Sequence, residues 1–211
     1  MLDPSHEAML DEYERSRAGA FARRDDRSRF VVGAVLLKLA VAAATGGAPQ
    51  DVIVDRECDQ CGRPHGRPRI PGSGVHVSVA HSGSVATVAV TRAGPVGVDV
   101  EQHAGGWTPA LNRQVLAPSE RVDSEPEFLT TWCRKESVVK ATGEGLQLPL
   151  PEVIVTAPDR PPGLLSYRGN AMPAAMFDLH LDRPGYAAAL TVLTAAPVLV
   201  NIDSALALLR V

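Results

Sequence analysis

Apolar and polar positions alternate most clearly between residues 75 and 101. Val75, Val77 and Val79 alternate with His76 and Ser78, and a second β-branched run covers residues 84–90. A third starts at Val96 and leads into Gly97-Val98-Asp99-Val100-Glu101. Period-two runs separated by Gly-containing breaks predict three strands, arranged as an antiparallel meander. The pattern changes at residues 30–41, which are nearly apolar all round and predict a buried helix, stopped by Thr45-Gly46-Gly47-Ala48-Pro49. Charged residues 4–17, with Met9, Leu10 and Tyr13 on one side, predict a surface helix, and 51–54 a short strand. Residues 102–106 form a linker. Thr108 and Pro109 then open a helix to about Leu116, and Pro126 opens a longer one to Ala141, ended by Gly143 and Gly145. Strands follow at 153–156, 175–181 and 186–193, the last two joined by a turn at Arg183-Pro184-Gly185, and a short helix closes the chain at 201–209. Helix-then-meander therefore occurs twice, in halves 1–103 and 104–211.

Composition narrows the setting. A chain of 211 residues suits one large domain or two small ones. The formal net charge of −3 argues against wholesale nucleic-acid binding. The start, Met1-Leu2-Asp3-Pro4, does not resemble a signal peptide, and the apolar run 30–44 is too short to span a bilayer. A cytoplasmic protein without a membrane partner is the expectation. The three cysteines, Cys58, Cys61 and Cys133, do not make a disulfide framework.

Several positions carry candidate chemistry. On a strand, Asp99 and Glu101 point to the same face, and two adjacent carboxylates favour a hard cation such as Mg²⁺ between them. A strand end entering solvent would also carry acids. Glu136 and Lys140 are helical neighbours whose plain reading is an ion pair at the surface. Phe128, Trp132 and Val139 share a face that reads as core. The cluster Arg23-Arg24-Asp25-Asp26-Arg27-Ser28-Arg29 offers phosphate-binding guanidinium groups or a solvated turn. His81 sits at a strand end before Gly83. Cys58, Cys61 and His65 have the types of a structural zinc site but lack a second pair, so a Gly/Pro-stiffened loop presenting Arg67 is the preferred reading.

Two motifs stand about 30 residues apart: Gly97-Val98-Asp99-Val100-Glu101, and Trp132-Cys133-Arg134-Lys135-Glu136-Ser137-Val138-Val139-Lys140-Ala141-Thr142-Gly143-Glu144-Gly145-Leu146. Together they resemble the 4′-phosphopantetheinyl transferase superfamily in its longer, Sfp-type form. Arg29 at the head of a buried helix, Gly66-Arg67-Pro68, His81-Ser82 and Leu148-Pro149-Leu150 agree with the family pattern, so that the likeness spans about residues 15–190. Ala80 and Phe30 depart from it where some members carry a phosphate-binding Ser and a Thr. Val100, apolar between the two acids, leaves that metal position to water.

The resemblance implies an α+β fold of two similar subdomains in pseudo-twofold arrangement, with the active site in the cleft between them. It implies transfer of 4′-phosphopantetheine from coenzyme A to a serine of an apo acyl or peptidyl carrier protein, releasing adenosine 3′,5′-bisphosphate. The pathway served would be fatty-acid, polyketide or non-ribosomal-peptide biosynthesis. Asp99, Glu101 and Glu136 would hold Mg²⁺, Glu136 and Lys140 would be catalytic, and Arg24, Arg29, Arg67, His81, Lys135 and Lys140 would contact coenzyme A. Thr142 to Leu150 would meet the carrier. A monomer with an internal pseudo-dimer is implied. The competing readings are another Mg²⁺ enzyme acting on phosphoesters, an inactive coenzyme A- or carrier-binding module, and a plain structural domain.

Overall fold

The computed structural model describes residues 4–58 and 60–205. The N-terminal segment forms two helices rather than one, α1 (Pro4–Ala8) and α2 (Glu12–Gly19). Asp11 divides them. Its carboxylate accepts the Glu14 amide while the Glu14 carboxylate accepts the Asp11 amide, a reciprocal cap that starts a new helix. Glu14 then turns inward, 1% exposed, to meet the Lys38 ammonium at 3.2 Å.

Lys38 lies in α3 (Arg24–Thr45), whose core residues Val31, Val35, Leu37 and Val41 are at most 1% exposed. The apolar run thus belongs to a helix of 22 residues, longer than the run alone indicates, and by length and composition it meets the requirement for crossing a membrane. Its apolar residues are instead covered by α1, α2 and by the strands below. No strand forms at residues 51–54. A 3-10 turn, Pro49–Asp51, precedes them, and the Val52 carbonyl accepts from Lys38 Nζ at 3.1 Å instead of from a neighbouring strand.

Strands β1 (His76–Ser82) and β2 (Val85–Thr91) form an antiparallel hairpin. The expected meander stops there. β3 (Val96–Gln102) pairs with a strand from the other half of the chain. The reason is burial: every residue from Val96 to Val100 is buried, which an edge strand beside β2 would not provide. Serines join β3 to β1. The Val98 amide donates to Ser78 Oγ, and the Gln102 amide to Ser82 Oγ, each at 3.1 Å. The equal spacing means that β1 and β3 run in the same direction, with side-chain hydroxyls standing in for main-chain partners.

The second half contributes α4 (Pro109–Val115), α5 (Glu125–Thr142) and four strands, β4 (Val153–Val155), β5 (Leu164–Tyr167), β6 (Ala175–Asp178) and β7 (Tyr186–Val192). β5, too short to show a period, is not evident from the pattern; it pairs with β4. The order β3-β7-β6 makes a small antiparallel sheet, with Asp99 opposite Ala189 and Glu101 opposite Ala187. Residues 201–204 are not helical, and the closing helix expected over 201–209 lies from residue 206 onward outside the described residues.

The odd and even positions of β3 face different partners. Val96, Val98 and Val100 pack with Ala188, Leu190 and Val192. Gly97 faces α5, and a Cβ there would lie 1.9 Å from the Ser137 carbonyl oxygen and 2.6 Å from the Ala141 nitrogen. The helix backbone therefore rests directly on the strand. Ser137 Oγ and Thr191 Oγ1, 2.6 Å apart, hold the same helix on β7. Gly97→Ala should lower unfolding stability by about 1–3 kcal/mol, as overpacking does in cores. A chemical-denaturation midpoint equal to the wild type would contradict this packing.

Candidate functional site

The strand–helix contact sets the geometry of an open cavity of about 280 Å³ lined by Val79, Ala80, His81, Asp99, Glu101, Trp132, Glu136 and Lys140. Asp99 and Glu101 reach it from one face of β3, as the period predicts. Trp132, Glu136 and Lys140 reach it from α5 at spacings of four, one face of the helix. Two cations on the opposite side anchor that helix. Arg134, fully buried, donates to both carboxylate oxygens of Asp178 and to the Thr156, Ala157 and Arg160 carbonyls. Lys135, also fully buried, donates to the Val115 and Leu150 carbonyls at 2.8 and 3.1 Å and pairs with Glu120. Lys135 was expected beside coenzyme A; its ammonium instead points away from the cavity, because three oxygens there satisfy all its donors.

Lys140 does not pair with Glu136, its neighbour along the helix. Its Nζ lies 2.6 Å from Asp99 Oδ1. Asp99 is 4% exposed, and its Oδ2 is buried with no hydrogen-bond partner. Burial pushes the Asp99 carboxyl above its ordinary range, against the pull of Lys140. Glu101 is likewise raised by burial, although it accepts from Ser82 Oγ at 2.7 Å. Glu136 is raised by burial and then by the Asp99 charge. Burial and Asp99 also push the Cys133 thiol well up, which keeps it protonated behind the carboxylate.

Three carboxyls that each titrate high form an oxygen donor set with more negative charge than one lysine offsets. The orphaned Asp99 oxygen adds an unused ligand position. These features fit a hard divalent cation. The three do not close to ligand spacing on their own: among the described residues, only Cys58, Cys61 and His65 form a group of three whose donor atoms lie within 4.8 Å of one another.

A second cavity, about 270 Å³, adjoins the first through His81 and is lined by Phe21, Asp26, Arg29, Ser82 and Gly83. Arg29 donates to the Gly83 carbonyl at 3.1 Å and pairs with Asp26. Arg24, at the start of α3, is exposed and lines neither cavity. Arg67 lies at the far end of α5, where its Nη1 donates to the Ala141 carbonyl at 2.6 Å, near the left-handed cap Gly143. Sequence reasoning missed three contributors. Trp132 packs on Phe128 as the core reading expects, but it also lines the cavity, as its spacing of four from Glu136 indicates. The Ser82 hydroxyl that holds Glu101 and the close approach at Gly97 leave no signal in a single sequence.

Known proteins resemble this chain. The family description "4'-phosphopantetheinyl transferase superfamily" matches residues 95–191, which contain both motifs. A 4′-phosphopantetheinyl transferase of Bacillus subtilis is 28% identical over 161 residues, 72% of this chain and 68% of that protein. The 4′-phosphopantetheinyl transferase HetI of Nostoc is 29% identical over 148 residues, 66% of this chain and 62% of that protein. The chain thus spans about two thirds of the length of these curated relatives. A crystal structure of Thermotoga maritima holo-[acyl-carrier-protein] synthase covers 48% of this chain and 64% of its own, at 22% identity and a TM-score of 0.39. These likenesses point to a transferase, and more particularly to the 4′-phosphopantetheinyl transferase superfamily.

The raised carboxyls carry a stability consequence. A group whose native pKa lies above its unfolded value binds more protons when folded, so its contribution falls as pH rises through that window. Glu101→Gln should therefore stabilise the metal-free protein above the window, and the gain should shrink as the medium acidifies toward ordinary carboxylate values. Urea midpoints at both ends of the range measure it. A gain independent of pH, or a loss at high pH, would contradict the charge surplus.

Proposed function

We propose that this enzyme transfers 4′-phosphopantetheine from coenzyme A to a serine of an apo acyl or peptidyl carrier protein, with Mg²⁺ as cofactor. The observation that carries the proposal is the meeting of Asp99, Glu101, Glu136 and Lys140 on one cavity wall. The serine oxygen forms a bond to the phosphorus bearing the pantetheine arm. The pyrophosphate bridge breaks, and adenosine 3′,5′-bisphosphate leaves.

Asp99, Glu101 and Glu136 would hold the cation together with the pyrophosphate. When bound, it offsets negative charge on the phosphoryl oxygens and the leaving group. Glu136, half-buried and pushed toward neutral pH by burial and Asp99, accepts the proton of the serine hydroxyl. Lys140 donates to the pyrophosphate, giving up part of its contact with Asp99. Arg29 and His81, on the adjoining cavity, receive the 3′-phosphate and adenine end, with Arg24 nearby on the same helix. Arg67 serves that end through the loop it stiffens. Lys135 acts as a positioning residue that fixes α5. Binding energy gathered away from the reacting phosphorus then orients it. The segment 142–150, which follows Lys140 directly, is the contact for a small acidic helical carrier.

The halves 1–103 and 104–211 are read as similar subdomains, each with one long helix on small sheets, working as a monomer that carries its own pseudo-dimer. The crossing of β3 into the sheet of β7 would then be the joint between them.

Intact-protein mass spectrometry of apo carrier incubated with the enzyme, coenzyme A and Mg²⁺ tests the reaction. The carrier should gain one phosphopantetheine, and EDTA or a Ser→Ala carrier should abolish the gain. Absence of the gain across acyl and peptidyl carriers would overturn the proposal. Lys140→Ala should lower kcat by about 10²–10³-fold, as loss of a transition-state charge partner does, with a smaller change in KM for coenzyme A. Unchanged turnover would remove Lys140 from the chemistry.

A further inference from the structure

Residues 55–58 and 60–69 lie in a loop outside both cavities. Paired main-chain bonds between Asp55 and Arg69, at 2.9 and 2.8 Å, close its base. Inside it the Cys58 amide donates to the Arg63 carbonyl at 2.9 Å and the Gly62 amide to the Cys58 carbonyl at 2.8 Å. These bonds fold the segment back on itself and bring three side chains to one side. The donor atoms of Cys58, Cys61 and His65 lie within 4.8 Å of one another, and Cys61 Sγ is 3.0 Å from His65 Nε2.

We infer that this knuckle binds a zinc ion through Cys58, Cys61 and His65. Two sulfurs and an imidazole are the ligand types Zn²⁺ selects, in contrast to the all-oxygen set of the active-site carboxylates. A tetrahedral zinc, with Zn–S about 2.3 Å and Zn–N about 2.0 Å, places these ligands roughly 3.5–3.8 Å apart, inside the observed spread. Binding displaces the thiol protons and forms three coordination bonds; no oxidant or reductant is needed. Cys61 and His65 are exposed, so the fourth position opens to solvent for a water or an incoming ligand.

The inference goes beyond the transfer reaction and does not depend on it. Its consequence is mechanical. The same loop carries Arg67, whose guanidinium holds the Ala141 carbonyl, and Gln60, whose side chain meets Gln147 just beyond α5. The chain packs tightly at the turn, where a Cβ on Gly66 would lie 2.6 Å from the Glu57 carbonyl oxygen. Zinc would fix the loop that grips the C-terminal end of the helix bearing Glu136 and Lys140.

The test uses the full chain, purified under reducing conditions, with elemental analysis after gel filtration and titration with Co²⁺ as a spectroscopic stand-in. The wild type should retain or take up about one equivalent of Zn²⁺ per chain, and its Co²⁺ form should show intense thiolate charge-transfer absorption. Cys61→Ser and His65→Ala, at exposed positions where folding is least at risk, should each lose zinc, and Cys61→Ser should also weaken that absorption. Circular dichroism of the variants confirms that they are folded. Reduced wild-type protein that binds neither metal would overturn the site. So would Cys61→Ser or His65→Ala binding as the wild type does.

Discussion

The contact at Gly97 governs this molecule. Where a side chain would occupy the space between strand and helix, the backbone of α5 lies against β3. That approach brings the carboxylates of β3 and the Trp132–Glu136–Lys140 face of α5 onto one cavity wall. A glycine two residues before Asp99 is thus part of the site's geometry without touching anything that binds there. Lys140 and Asp99, 41 positions apart, sit 2.6 Å apart as a result.

Charge is distributed around α5 in an ordered way. Its buried cations, Arg134 and Lys135, are satisfied by carbonyls and by Asp178 and Glu120, so they anchor the helix without adding positive charge to the cavity. Of these three cations of α5, Lys140 is the one that faces the carboxylates. The surplus of negative charge is destabilising by itself, and it is the property that would make the cavity a site for a cation, as proposed. Stability given up in the cation-free state would then be recovered as binding free energy.

Much of this was legible in the sequence, for identifiable reasons. The strand period placed Asp99 and Glu101 on one face, and Pro109, Pro126 and Gly143 marked the ends of the helices of the second half. Local signals failed where partners come from far along the chain. The meander was expected because β1, β2 and β3 are consecutive, but β3 is buried throughout and pairs with β7. The segment 51–54 looked like a strand until Lys38 took its carbonyl. Glu136 and Lys140 looked like a surface pair because sequence spacing shows helical neighbours and not the strand opposite. Lys135 and Glu136 are adjacent in the sequence but about 100° apart around the helix, one spent on structure and one facing the cavity. The convergence of Cys58, Cys61 and His65 needed the folded loop to be seen.

The central claim is that β3 and α5 together make one cation site. Electron paramagnetic resonance titration of Mn²⁺ in the presence of coenzyme A tests it most directly, applied to the wild type and to Asp99→Asn, Glu101→Gln and Glu136→Gln. The account predicts weakened Mn²⁺ binding in all three variants. Wild-type affinity in Glu136→Gln, with loss confined to the two β3 variants, would mean that the strand holds the cation alone, and would contradict it.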